Sequence, residues 1–246
     1  MAENGLSMDE FLPEETEAVF RKLLTGISAV IFPSTYNPCD ELLRKLLCEL
    51  KIPWICYNSG ALQEGALSFV GSDYVKSGRI AMGLAALLAG ERARVLVLSI
   101  GVDSTESYLQ RMQGFCQEGK EKYPEIRIAE ILEIPWEEQA QRQDLQQALE
   151  KHPDINLVYI INPGDYSVCD RLEELAPDRR LPVLTYDLTQ KSAEKLKEGK
   201  ITAIMTQQPE VQGELTLELI YRYLAFGEAP EKVNYTKQEI YIAQNL

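Results

Sequence analysis

Residues 201–213, ITAIMTQQPEVQG, place a strand, a turn and a helix start in immediate succession, and the rest of the chain is read outward from them. Ile201 to Met205 is apolar and rich in β-branched side chains, follows a Gly-Lys turn, and reads as a strand. Pro209 suits the first turn of a helix whose pattern runs over 210–226. Gln207 and Gln208 therefore stand at the carboxyl end of a strand, where open α/β sheets bind ligands. Two amides offer donors and acceptors without net charge, which suits a neutral, hydroxyl-rich small molecule. The same amides could equally serve the unpaired N–H groups at the helix start.

The unit repeats on both sides of this stretch. Stretches at 28–33 (SAVIFP), a short apolar run of the kind buried on both faces, 53–58 (PWICYN), 68–73 (SFVGSD), 94–100 (RVLVLSI), 127–134, 157–162 (LVYIIN) and 182–187 (PVLTYD) read as strands. Helical patterns fall at 14–24, 39–50, 74–90, 106–122, 136–152, 167–175 and 190–198. Beyond Phe226 the chain reads as a Pro-containing linker and a last alternating strand near 240–243. Alternating strands and helices call for parallel sheets covered by helices, and right-handed crossovers put every strand's carboxyl end on one side. Eight or nine strands could form one broad sheet. Two sheets facing a cleft better explain the polar stretches after successive strands: PSTYN (33–37), YNSG (57–60), GVDSTES (101–107), INPGDYS (161–167), YDLT (186–189) and TQQPE (206–210). The expected class is α/β, with two Rossmann-like lobes of parallel sheet flanking a ligand cleft.

Composition narrows the partners. A formal net charge of -13 argues against direct contact with nucleic acid, which needs clustered Lys and Arg. Five cysteines without a CxxC spacing indicate neither a disulfide framework nor a zinc site, and a reducing cytoplasm is the simplest compartment. The start, MAENGLSMDEFLPEE, has neither the basic nor the apolar region of an export signal, and no run is long and apolar enough to span a membrane.

A catalytic reading finds little to use. His152, the only histidine, closes a helical pattern before Pro153, where a cation is ordinarily structural. No GxSxG, HExxH, P-loop or GxGxxG occurs, and no cofactor or metal set is indicated. Asp187, at a strand end, could accept two hydrogen bonds from sugar hydroxyls or could cap the next helix. Asn58 and Asn162 hold the same position on two other strands, as ligand groups or turn residues. Tyr57 and Trp136 could stack on the apolar face of a sugar or be ordinary core or surface aromatics. Cys169 is expected to be a small buried hydrophobe.

Several longer stretches together resemble the effector-binding domain of LacI/GalR-family transcriptional regulators, itself similar to type I periplasmic sugar-binding proteins. They are VGSDYVKSGRIAMGLAALLAG (70–90), YLQRMQGFCQEGKEKYPEIRI (108–128), HPDINLVYIINPGDYSVCDRLEE (152–174), the run 181–228, and the closing NYTKQEIYIAQNL; the likeness extends over about 14–246. The resemblance implies discontinuous lobes: an amino-terminal lobe of 1–101 plus 209–232 and a carboxyl-terminal lobe of 102–208 plus 233–246. It further implies sugar contacts at Asn58 and Ser59, an aromatic wall at Trp136, and polar contacts at Asn162, Asp187 and Gln207. Leu109 stands where many members have a ligand-binding Arg, and Ser59 replaces a charged residue. The first strand, helix and strand of the family's amino-terminal lobe and the helix-turn-helix find no counterpart, so that lobe is expected to be incomplete and DNA contact to need a missing domain. The implied protein is a cytoplasmic, homodimeric, non-enzymatic sensor of a sugar or polyol; the alternative is a solute-binding receptor for sugar transport or chemotaxis.

Overall fold

A computed structural model describes residues 13–33, 38–100, 106–162 and 164–246. In chain order the elements are Pro13–Leu23 (α1), Val30–Phe32 (β1), Pro38–Glu49 (α2), Trp54–Asn58 (β2), Ser68–Gly71 (β3), Tyr74–Ala89 (α3), Arg94–Ile100 (β4), Glu106–Lys122 (α4) and Arg127–Ile134 (β5). Next come Glu138–Lys151 (α5), Leu157–Asn162 (β6), Ser167–Leu175 (α6), Val183–Tyr186 (β7), Gln190–Lys197 (α7), Ala203–Thr206 (β8), Pro209–Phe226 (α8), Val233–Tyr235 (β9) and Glu239–Tyr241 (β10). The expected α/β architecture is present, with parallel sheets in two separate units. The segment after Phe226 holds a strand where the sequence pattern predicts a linker: β9 pairs parallel with β3 through Phe69↔Val233 to Gly71↔Tyr235. Its three residues, VNY, are too few to show an alternation.

The chain divides into one unit of residues 1–71 plus 209–236 and another of 72–208 plus 237–246. The expected division after residue 101 is therefore displaced to Gly71, and the last crossing from 232 to Thr236. The physical reason is helix packing. Helix α3 crosses α4 so closely that a Cβ on Gly78 would lie 1.9 Å from the Arg111 carbonyl oxygen, and one on Gly114 would lie 1.9 Å from that of Val75. Strand β4 hydrogen-bonds on both sides, to β5 and β6. Both α3 and β4 are thus bound to the elements from α4 to β6 and cannot be separated from them.

In the first unit the sheet order is β1-β2-β3-β9, all parallel. Alternate residues of β2 face opposite ways, as a strand's twofold period requires. Trp54 and Cys56 join Leu46, Leu47, Phe69 and Leu24 in one apolar cluster, while Ile55 joins Val70 and Ile220 of α8 in another. Strand β1 is an outer strand that pairs with β2 alone among the described strands.

In the second unit the order is β10-β8-β7-β6-β4-β5, parallel except for β10. Leu96, Leu98, Val158, Ile160 and Ile204 face a cluster completed by Leu145, Val168, Leu172 and Leu196 of α5, α6 and α7. Val95, Val97, Leu157, Tyr159, Ile161 and Met205 face one completed by Ala81, Met82, Ala85 and Phe115 of α3 and α4. Burial of each large aliphatic side chain stabilises by roughly 1.5–3 kcal/mol, so filling both faces fixes the sheet and the level at which its strands end.

Candidate functional site

Five parallel strands of the second unit end at one level, and the expected polar residues stand there. Asn162 is the last residue of β6, Asp187 follows β7, Gln207 follows β8, and Trp136 lies two residues beyond β5. The residues after β4, 101–105, which hold most of the expected GVDSTES lining, fall outside the described residues, as do 34–37 of PSTYN and Pro163 of INPGDYS.

Asp187 is the most constrained of these residues. Its φ of 64° puts it in the left-handed region, which Asp tolerates better than most side chains. Four hydrogen bonds hold it there. Its N–H donates to Met205 O at 3.0 Å, and its carbonyl accepts from Tyr166 Oη at 2.9 Å and Ser192 Oγ at 2.8 Å. Gln207 Nε2 donates to carboxylate Oδ1 at 2.8 Å. The carboxylate remains exposed. Helix α7 does not use this side chain as its cap. Thr189 does that work, accepting from Ser192 N at 3.2 Å while Ser192 Oγ accepts from Thr189 N at 2.8 Å. Of the two roles left open for Asp187, capping is thus already filled by Thr189.

Asn162 and Trp136 are each fixed by their own neighbours. Asn162 Nδ2 donates to Ile100 O at 2.9 Å, tying the end of β6 to the end of β4. Trp136 lies before α5, whose first residue is Glu138, so the helix expected from 136 starts two residues later. Freed from the helix, the indole packs on the loop after β6: a Cβ on Gly164 would meet its Cζ3 at 2.8 Å and Ile100 Cγ2 at 3.0 Å. Gly164 has φ +58°, so glycine is required both by the backbone and by the ring. Trp136 nevertheless remains 64% exposed. A large exposed aromatic near polar strand ends offers an apolar face to a sugar ring.

Below Asp187 the strand ends rest on buried aromatic and cationic groups. The Arg111 guanidinium lies 3.6 Å from the Tyr186 ring centre and 5.1 Å from that of Tyr74, and Nη1 donates to Ile161 O at 3.3 Å. Tyr159 and Tyr186 share a hydroxyl–hydroxyl bond of 2.7 Å. Burial, and next the neighbouring Asp187, push the Tyr166 phenol up to about 12, so it keeps its proton and donates. Sequence reasoning missed Tyr166, Ser192, Gly164 and Arg111 because they act through backbone or packing. The one available signal was the polar run GDYS before a helix.

Asn58 and Ser59 belong to the other unit. Asn58 ends β2 with φ 59°, the same left-handed turn that Asp187 makes, and is half-buried; Ser59 is half-buried beside buried Gly60. Residues other than glycine in this conformation are uncommon and gather at functional strand ends. Among the described residues they are Asn58, Asp187 and Gln208 beyond strands, Tyr166 before α6, and Lys51. Gln208 is occupied, with Nε2 donating to Glu239 Oε1 at 2.8 Å and Oε1 accepting from Lys237 N at 3.1 Å. It binds the return of the chain to β10, while Gln207 serves Asp187. No cluster of His, Cys, Asp and Glu able to hold a metal occurs among the described residues. Among them, too, no helix is long and apolar enough to cross a membrane. His152 caps α5 at its carboxyl end and lies 3.3 Å from Glu130, and Cys169 is 2% exposed, both as the sequence suggested.

This chain is similar to the ribose import binding protein RbsB of Salmonella typhimurium, 26% identical over 180 residues that make up 73% of this chain and 60% of that protein. To RbsB of Bacillus subtilis it is 23% identical over 206 residues, 83% of this chain and 66% of the relative. Among solved structures it superposes on GanP, a glucose-galactose binding protein from Geobacillus stearothermophilus, with TM-score 0.79 and 19% identity, covering 95% of this chain and 83% of that one. A chain assigned as a LacI transcriptional regulator from Bacteroides fragilis gives TM-score 0.75 and 24% identity, covering 94% and 81%. These likenesses share the fold, and the decisive match is to a domain model that spans residues 30–229. On that match the chain belongs to the periplasmic binding protein domain family.

Proposed function

We propose that the chain is a sugar-binding, non-enzymatic domain that senses a neutral monosaccharide or polyol for a LacI/GalR-type regulator. The observation that carries the sugar reading is the exposed Asp187 carboxylate, steered by Gln207 and flanked along the strand ends by Asn162 and the exposed Trp136 ring. A carboxylate accepts hydrogen bonds from two neighbouring hydroxyls, an amide both donates and accepts, and an indole covers the C–H face of a pyranose or furanose. Asn58 and Ser59 are proposed as further sugar contacts. Output is a shift between conformations set by the sugar's differential affinity for them.

The test is isothermal titration of the full chain with D-ribose, D-arabinose, D-glucose, D-galactose, D-allose and D-tagatose. Saturable heat with at least one of them is expected, and loss of that heat in Asp187→Ala. No heat with any of them overturns the reading.

A cytoplasmic regulator, acting as a homodimer and reaching DNA through a separate domain, is preferred over an import receptor because all five cysteines are free thiols. Exported proteins commonly oxidise such a set. The second reading, a receptor for sugar uptake, is favoured by the names of the RbsB relatives. The genomic sequence preceding the codon for Met1 discriminates between them: a helix-turn-helix supports the regulator, and an export leader overturns it.

A further inference from the structure

The strand-end turn that carries Asp187 is held by groups that do not face a ligand. Tyr166 comes from the loop before α6 and is itself left-handed, with φ 65°. Its ring is buried and its Oη lies 3.0 Å from Tyr186 O and 2.9 Å from Asp187 O, one proton shared between two successive carbonyls. Ser192 is fully buried, and its Oγ donates to Asp187 O at 2.8 Å from the other side of the turn. Without these donors the Tyr186 and Asp187 carbonyls lose partners, and only the Asp187 N–H bond to Met205 O and the Gln207 contact oppose relaxation of Asp187 toward the ordinary helical or extended regions. Because Cβ direction follows φ and ψ, such a relaxation swings the carboxylate away from Gln207 Nε2.

We propose that Tyr166 and Ser192 are positioning residues for Asp187: two hydroxyls from different elements lock its backbone and thereby aim its carboxylate at a sugar. This rests on the sugar-binding reading for its consequence, though not for its geometry. It couples the loop after β6 to the loop after β7, so the specificity set by Asp187 depends on a side chain that need not touch sugar.

The experiment has one arm without ligand and one with it. In the ligand-free full chain, the side-chain amide of Gln207, assigned through its disappearance in Gln207→Glu, is followed by heteronuclear NMR in Tyr166→Phe and Ser192→Ala. Both variants are expected to shift that amide while leaving the amides of β4 and α4 in place. D-ribose titrations then form a cycle with Asp187→Ala. Tyr166→Phe is expected to weaken D-ribose binding about tenfold in the native background, the loss expected of one misplaced charge-assisted hydrogen bond, and not at all in the Asp187→Ala background. A purely structural role would weaken binding in both backgrounds. An unmoved Gln207 amide in both variants overturns the proposal, as does an equal loss of affinity with and without the Asp187 carboxylate. If the wild-type chain takes up no D-ribose, the sugar choice fails and the amide shift alone decides the positioning role. If Tyr166→Phe does not fold, Ser192→Ala decides it.

Discussion

The helices of the two units are packed to different standards. In the second unit α3 and α4 touch backbone to backbone, with Gly78 and Gly114 at the crossing and no room for a methyl group. In the first unit α8 carries Gly213 with nothing within 4 Å of an added Cβ, and it leaves Leu217, Tyr221, Leu224 and Phe226 exposed. Both glycines of the crossing are demanded by contact; Gly213 is not. The same strand-helix alternation thus yields one unit with a helix crossing that has no room for a methyl group and another whose outer helix has room at Gly213. The polar strand ends with the most constrained geometry belong to the tighter unit.

That contrast can be broken most forcefully at the crossing. Gly78→Ala or Gly114→Ala forces α3 off α4 and is expected to destabilise by about 3 kcal/mol or more, read as a lowered midpoint in urea. A cost below about 1 kcal/mol would mean that the crossing adapts as α8 does. Next in size is Asp187→Ala, expected to weaken binding of the responsive sugar by at least tenfold, since a hydrogen bond to a charged group contributes about 1.5–3 kcal/mol, while the midpoint stays near that of the wild type. Gly213→Ala runs the other way. With open space around a helical site, alanine should stabilise by up to about 1 kcal/mol, and a loss would show that α8 is covered in solution.

The two tryptophans sharpen the comparison further, because Trp54 is buried in the first unit and Trp136 is exposed in the second. Gly164→Ala should displace the Trp136 ring and increase iodide quenching of the red-shifted emission, leaving the blue-shifted Trp54 component untouched. Equal quenching before and after would show that the ring does not rest on that loop.

The smallest effect concerns pH. Burial acts to raise the Asp170 carboxyl, yet hydrogen bonds from Lys195 and Lys200 outweigh it and hold the group below the usual carboxylate range. A depressed folded-state value gives stability that is present above the unfolded value, near 3.9, and is lost as pH falls through the folded one. Asp170→Asn should therefore flatten the acid limb of the stability curve below about pH 4, by under about 1 kcal/mol for a half-buried group still partly screened by solvent.

The strand ends were legible because apolar runs such as LVYIIN and PVLTYD stop abruptly at Asn162 and Asp187, and a buried parallel strand can stop only where its polar turn begins. Strand 127–134 was legible to the residue although it is an edge strand with charged residues and only one buried position. The boundary between the units was not legible. It depends on the crossing of α3 and α4 at Gly78 and Gly114, a contact between residues more than thirty positions apart. Strand β9 was hidden by its shortness. The supporting shell of Asp187 escaped because Tyr166 works through its hydroxyl on backbone oxygens, which no spacing of side chains records. Trp136 was expected within a helix and stands outside it, so its value as a ring surface depends on Gly164, which the sequence marked only as part of the polar run INPGDYS.

The division at Gly71 also has a consequence for biosynthesis. Residues 72–208 form an uninterrupted run that lacks only β10 to complete its sheet, whereas the other unit must wait for α8 and β9, made after that run has emerged. During translation the segment α1 to β3 must therefore wait through the synthesis of the whole second unit for its permanent neighbours, and nascent chains stalled before residue 209 should offer chaperones the apolar underside of β2 and β3 that Ile220 later seals.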